Sequence, residues 1–368
     1  MASAERQNDT LPPEWYSDCT HWELERERVL ARSWMCIGHA SELPSPGDFF
    51  CVEVAGEPLL ATRGEDGRLR VLSAVCRHRG ALIATGCGST RRFVCPYHAW
   101  TYGLDGRLVG APEMSGTHGF NMRAYPLPEI PSAVWEGFLL VNLSGGAEPL
   151  SQRLAALADR LSRYRLGAMR VARRLEFACD WNWKVMVENY MECYHHLRVH
   201  RETLEQIIPA RSTWSEPGDG AWAMCHMPIS RDVVAYKAST SHEPRLPEIA
   251  GLREDERRRG TLVHVFPNLV MVLYPDRMDF LRVLPAAADA TRVDAYFCVP
   301  EAACASPDFA PAIDAIVSHF QEFTDEDFAI CRSVQRGLSA RYAAPGPYNR
   351  LEGALSDFAR WMRARIAG

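Results

Sequence analysis

The sequence predicts an α+β fold in two parts: a small all-β domain, then a larger domain of antiparallel sheet with helices. Three observations carry that prediction. At 368 residues the chain is too long for one small core. From about Trp34 to Leu143 it reads as short strands broken by turns. After Gly145-Gly146 helical periodicity and longer strand runs are mixed.

The elements come in order along the chain. After a polar start, His21 to Ser33 predicts a helix, with Trp22, Leu24, Val29 and Leu30 set among charges. Phe49 to Val54, Pro58 to Arg63 and Arg68 to Ser73 alternate as strands. Asp66-Gly67 and Asp105-Gly106 are hairpin signals. Gly137 to Leu143 closes the β region as a buried strand. Leu154, Leu157, Leu161 and Tyr164 then recur at helical spacing between Pro149 and Leu166. Strand-like runs stand at Thr261–Leu273 and Arg292–Val299, and two helices close the chain at about Pro307–Leu338 and Leu351–Ile366. The boundaries that result are residues 1–35 for an N-terminal helical segment, 36–148 for the β-domain and 149–368 for the second domain.

Composition is that of an ordinary globular protein, 47% hydrophobic and 24% charged. A net charge of −5 gives no electrostatic reason to expect nucleic acid or an anionic membrane as a partner. No apolar run reaches the length of a membrane span, and the polar start lacks the apolar stretch of a signal peptide, so the expected location is the cytoplasm. The twelve cysteines are scattered rather than framed for disulfides.

Two constellations carry chemistry. The first is Cys76-x-His78 and, sixteen residues on, Cys95-x2-His98. Each pair brings one thiolate and one imidazole, which suits a [2Fe–2S] cluster with two Cys on one iron and two His on the other. Zinc is the competing reading, because Cys2His2 is also a zinc set, but zinc fingers usually pair Cys with Cys and His with His.

The second runs from Asn182 to His200. On a continuous helix Glu188, Glu192 and His195 fall at i, i+4, i+7 and share one face. His195 and His200 are five apart, about 140° around an ideal helix, so both reach one ion only if the helix ends or distorts between them. A third ligand is offered by the late helix. Phe320, Phe323, Asp327, Ile330, Cys331, Val334 and Leu338 form one stripe, on which Asp327 is the only charge. A lone carboxylate on an apolar stripe is paired, protonated or ligating. Ligation is favoured over a salt bridge to an arginine such as Arg336, since two His and one carboxylate make the facial set of non-haem Fe(II) oxygenases.

With both motifs in order, the chain resembles the Rieske non-haem iron oxygenases, specifically their terminal oxygenase alpha subunits, along nearly its whole length. Cys76-Arg77-His78-Arg79-Gly80 and Cys95-Pro96-Tyr97-His98-Ala99-Trp100 look like the family's cluster motif, with Ala99 where Gly is commonest. Glu188-Asn189-Tyr190-Met191-Glu192-Cys193-Tyr194-His195-x4-His200 is similar to its catalytic motif, and the segment from Glu326-Asp327 to Leu338 to its third-ligand helix. The resemblance implies a Rieske domain over 36–148, a helix-grip catalytic domain over 149–368 with the N-terminal segment packed on it, and a head-to-tail homotrimer. It also implies that Glu192 bridges His98 of one subunit to His195 of the next and carries electrons between them.

The Glu-Cys-Tyr-His form resembles the branch of choline, glycine betaine and carnitine oxygenases. The implied activity is therefore hydroxylation or N-demethylation of a small amine or quaternary ammonium compound. It would use O2 as co-substrate, a mononuclear Fe(II) and electrons from a flavin or ferredoxin-type reductase. NAD(P)H and flavin would sit only on that partner. An aromatic or heterocyclic ring oxygenase is the alternative, and a Rieske electron carrier is the alternative of another class. Trp222, Met224, His226, Phe266, Asn268 and Tyr274 are the candidate substrate-pocket residues, Met271 beside them, from segments that lie beyond the His pair.

Overall fold

The computed structural model describes residues 9–230 and 245–368. These divide into two compact units, one of Leu30–Leu150 and the other of residues up to Val29 together with Ser151–Gly368.

The Leu30–Leu150 unit is built of short antiparallel strands. Asp48–Val54, Glu57–Arg63 and Leu69–Ser73 form a meander, and Cys87–Ser89 pairs on its far side with Asp48–Val54. A second sheet joins Phe93–Val94, Thr101–Tyr102 and Leu108–Gly110. A third sets Phe138–Val141 between Met35–His39 and Ser132–Trp135. Both expected hairpins form, because Asp66-Gly67 and Asp105-Gly106 each stand at the turn between paired strands. The core of this unit includes Leu60, Leu72, Phe93, Trp100 and Tyr102, with Cys76 and Cys95 among them.

The larger unit is organised around a seven-stranded antiparallel sheet. Its spatial order is Met169–Cys179, Ala290–Pro300, Met278–Ala287, Leu269–Leu273, Arg259–Val265, Trp222–Pro228 and Trp214–Glu216. The expected strand over Thr261–Leu273 is thus two strands, turning at Pro267, and the opening strand Met169–Cys179 was not anticipated. The helices beside the sheet include Trp183–Tyr190, Phe309–Leu338 and Gly353–Ala367. Asn182 caps the first, its side chain accepting from the Lys184 N–H. Gln335, buried on the second, accepts from the Asn182 N–H at 2.9 Å and donates to the Tyr16 carbonyl at 2.9 Å. One glutamine therefore ties the start of the first helix to the second helix and to the N-terminal segment.

The N-terminal helix is Cys19–Glu25, continued by a wider turn over Arg26–Leu30. Its Glu25 is fully buried, accepting from Lys184 Nζ at 2.6 Å and from Trp183 Nε1 at 3.0 Å. Among the described residues no helix is long and apolar enough to cross a membrane.

Candidate metal centres

In the smaller unit the two Cys–His motifs close into loops of matching design. Cys76 N–H donates to the Ala81 carbonyl and Gly80 N–H to the Cys76 carbonyl; Cys95 N–H donates to the Trp100 carbonyl and Ala99 N–H to the Cys95 carbonyl. Gly80 and Ala99 hold corresponding positions, both left-handed at φ +76° and +57°. Each loop sends its cysteine inward, 3% exposed, and its histidine outward. The two imidazoles converge, His78 Nδ1 and His98 Nδ1 standing 3.1 Å apart. Two nitrogens on one tetrahedral ion at about 2.1 Å lie about 3.4 Å apart, so the pair fits a shared metal. Tyr102 OH lies 3.4 Å from Cys76 Sγ and accepts from the Arg77 N–H at 3.0 Å, placing a polar group beside the thiolate. Trp100 stacks on His78 at 4.8 Å and Tyr97 on His98 at 3.8 Å, which fixes both ring planes. Slight desolvation, then His78 and Arg79, push the His98 pKa down, toward the neutral imidazole a metal takes.

In the larger unit the Trp183–Tyr190 helix stops short of Glu192. Met191 caps it, and a 3-10 turn covers Tyr194–Leu197. The shared face expected for Glu188, Glu192 and His195 is therefore corrected. Glu188 turns to Tyr16, whose hydroxyl donates to it at 2.6 Å, while Glu192 and His195 belong to the irregular stretch beyond. That break lets the two histidines meet, their ring centroids 5.0 Å apart. Asp327 Oδ1 lies 2.9 Å from His200 Nε2 and 3.5 Å from His195 Nε2. Donors bound at about 2.1 Å to an octahedral ion stand about 3 Å apart, so this trio also fits one metal. The partners of Asp327 are imidazoles, which disposes of the salt bridge to Arg336.

Each of the two rings carries a carboxylate on its other nitrogen. Glu192 Oε1 lies 2.5 Å from His195 Nδ1, and Glu192 Oε2 accepts from the backbone N–H groups of Tyr194 and His195. Glu326 Oε2 lies 2.6 Å from His200 Nδ1. Burial alone would lower the His200 pKa, but Asp327 and Glu326 outweigh it and raise it. His196 stands close, and ring nitrogens of His195, His196 and His200 lie within 4.8 Å of one another. Its Nδ1 faces the Ile208 carbonyl at 3.2 Å, and burial, then His195, drive its pKa down to about 3. Among the described residues no carboxylate partners its ring, so it is the weaker candidate ligand.

Glu192, His195, His196, His200 and Asp327 line a cavity with Tyr190, Tyr274 and Phe323, and with Leu204, Ile208, Met227, Leu262 and Val272. Of the expected pocket residues only Tyr274 lines it. Trp222, Met224 and His226 are out of phase with Met227 on their strand and face away. His226 there meets Glu216 at 2.7 Å and Thr261 at 3.3 Å. Phe266 packs at a tilt against Phe358 and Trp361, Asn268 is fully buried elsewhere, and Met271 also lies outside the lining. Tyr190, Cys193 and Phe323 were missed as lining residues, although Tyr190 and Cys193 flank Glu192 inside the catalytic motif.

The sequence profile of the Rieske [2Fe-2S] domain matches residues 33–128, and that of the Ring hydroxylating alpha subunit (catalytic domain) matches residues 166–368. The chain belongs to the ring-hydroxylating alpha subunit family. As a Rieske oxygenase alpha chain it is an oxidoreductase of α+β fold, and its two domains imply a Rieske cluster and a non-haem iron. The glycine betaine monooxygenase oxygenase subunit of Chromohalobacter salexigens is 28% identical, over 97% of this chain and 86% of that protein. The carnitine monooxygenase oxygenase subunit of Acinetobacter baumannii is 29% identical, over 90% of this chain and 86% of the relative. The crystal structure of the quaternary ammonium Rieske monooxygenase CntA superposes on the alpha chain with a TM-score of 0.83 at 25% identity, covering 98% of this chain and 96% of that one.

Proposed function

We propose that this alpha chain is a terminal oxygenase that hydroxylates or N-demethylates a small amine or quaternary ammonium compound. It would draw two electrons from an NAD(P)H-linked flavin or ferredoxin-type reductase in the cytoplasm. The observation that carries the reading is the meeting of His195, His200 and Asp327 on a cavity walled by the rings of Tyr190, Tyr274 and Phe323. The two curated relatives support the substrate class, since their names give glycine betaine and carnitine as what they act on.

Cys76, Cys95, His78 and His98 would hold the cluster, and His195, His200 and Asp327 a ferrous ion. When bound, the cluster supplies single electrons and the ferrous centre supplies dioxygen activation. The chain's own residues do the rest. Glu192 takes the Nδ1–H of His195 and so turns its Nε2 lone pair toward Asp327 and His200. Tyr190, Tyr274 and Phe323 supply aromatic rings to the wall; Arg277 already lies over one face of Tyr274 at 3.9 Å, and each ring face open to the cavity would attract an ammonium group by about 0.5–2 kcal/mol. Burial pushes the phenol pKa of both Tyr190 and Tyr274 up, so these rings stay neutral. Leu204, Ile208, Leu262 and Val272 exclude water around them.

The same apolar wall supports a second reading, oxygenation of an aromatic or heterocyclic ring. The third, an electron carrier, leaves the whole of residues 166–368 without a purpose. Assembly as a homotrimer is part of the proposal, with the exposed ring of His98 from one copy set against Glu192 of the next. Oxygen uptake with a generic reductase and NADH, over a panel of N-methylated and aromatic compounds, tests the function. Uptake matched by formaldehyde or released amine from a quaternary ammonium compound is expected. Turnover of arenes alone would replace this reading with the second.

A further inference from the structure

We propose that Glu326 is a positioning residue for His200, matching on this ring what Glu192 does for His195; the inference rests on the ferrous centre proposed above. His200 is fully buried, and both of its ring nitrogens are engaged by consecutive residues of one helix. Asp327 Oδ1 lies 2.9 Å from Nε2, and Glu326 Oε2 lies 2.6 Å from Nδ1. Neighbouring side chains on a helix diverge by about 100°, so they cannot normally meet one small group. Here they do, because the loop beyond Leu197 delivers the imidazole edge-on between them.

The arrangement is braced on the far side. Thr203 Oγ1 donates to the same Glu326 oxygen at 2.8 Å, and the Thr203 N–H donates to the His200 carbonyl at 3.1 Å. Glu326, Thr203 and His200 thus form a closed circuit in which the carboxylate has a defined position. A carboxylate at Nδ1 keeps the proton there, leaves the Nε2 lone pair for a metal and prevents the ring from turning over. It differs from Glu192 in origin. Glu192 is local to its histidine, whereas Glu326 comes from the helix that supplies Asp327. The contact therefore locks the second histidine to the third ligand, so that His200 and Asp327 are presented as a unit.

The test is Fe(II) titration of the apo mononuclear site in the full-length protein. It is read by metal content and by the EPR spectrum of the ferrous site treated with nitric oxide. Glu326→Ala should weaken iron binding by ~10–100-fold and change the symmetry of the signal. Glu326→Gln keeps an oxygen that accepts from Nδ1–H and should recover most of the affinity, which also covers an Ala variant that fails to fold. Thr203→Val, which removes only the brace, should stay within about threefold of wild type, a small part of the loss typical of such outer contacts. Asp327→Ala in the same titration separates the positioning role from the centre itself. If Asp327→Ala loses iron while Glu326→Ala keeps wild-type affinity and signal, the positioning role is overturned and the centre stands. If both keep wild-type affinity, the centre falls and the positioning role with it. If Thr203→Val matches Glu326→Ala, the carboxylate serves the turn rather than the ring, and the proposal is wrong.

Discussion

Glu192 Oε1 stands 2.5 Å from Nδ1 of His195, three residues along the chain, although no helix joins them. The carboxylate is held by backbone N–H groups from its own turn and is 8% exposed. It is placed to fix the ring and, in the proposed assembly, to receive the His98 ring of another copy. Glu192→Gln retains an oxygen for Nδ1–H but loses the negative charge. Both metals should stay bound while turnover falls at least ~10-fold. Rapid mixing of reduced enzyme with substrate and O2 should show slowed reoxidation of the cluster's visible bands. Near-normal turnover with intact metals would remove Glu192 from the electron path.

Ala99 adopts φ +57° at the position that its sister loop gives to Gly80. A left-handed residue with a Cβ is disfavoured by about 1–2 kcal/mol, partly offset by the greater freedom of glycine in the unfolded chain. Ala99→Gly should therefore stabilise the cluster loops by about 0.5–1 kcal/mol. A higher melting temperature for bleaching of the cluster absorption is expected, with an unchanged spectrum beforehand. A lower melting temperature would show that the methyl group makes packing contacts worth more than the strain.

The two loops that bring His78 and His98 together were legible because Cys76, His78, Cys95 and His98 are close in sequence and the loop chemistry repeats. The approach of Asp327 to His195 and His200 was legible for a different reason: Asp327 is the one charge on a stripe whose Phe320, Phe323 and Cys331 are indeed buried. Three features were not. Nothing between Tyr190 and Glu192 is a Gly or Pro, so the helix had no visible end, and Glu188 was grouped with residues it does not meet. The strand Trp222–Pro228 is apolar on both faces, which hides the phase of its alternation. One register step then decided between Met227 in the cavity and His226 outside it. Glu326 sits beside Asp327 at a position that helical geometry assigns to another face, and only the fold shows that one imidazole fills the space between the two.

Lys184 and Glu25 are fully buried and pair at 2.6 Å, joining the N-terminal helix to the helix that leads into the catalytic motif. Removing one partner of such a pair leaves a charge stranded in the interior, at a cost of about 3–5 kcal/mol. Lys184→Met should lose that much stability in denaturant unfolding of the larger unit. Lys184→Met with Glu25→Gln should recover part of it, because no bare charge remains. Equal losses in the single and double variants would mean that the lysine acts through packing on Tyr16 and Trp183 rather than through the ion pair.

Glu188 supplies a pH-dependent term. Burial pushes its pKa up to about 7, more than the Tyr16 hydroxyl and Lys184 pull it down. The unfolded chain releases this proton near the ordinary glutamate value of about 4.3. Between that value and about 7 the folded protein thus holds a proton that the unfolded chain has lost, and stability falls as pH rises. Below that window the contribution is fully present, and above it the loss is complete. Glu188→Gln still accepts from Tyr16 but has nothing to ionise. Its stability relative to wild type should rise from pH 6 to pH 8.5, by roughly 1–2 kcal/mol. Melting curves of the two proteins across that range should diverge on the alkaline side. Parallel curves would show that Glu188 is already charged at pH 6, held so by Lys184 against its burial.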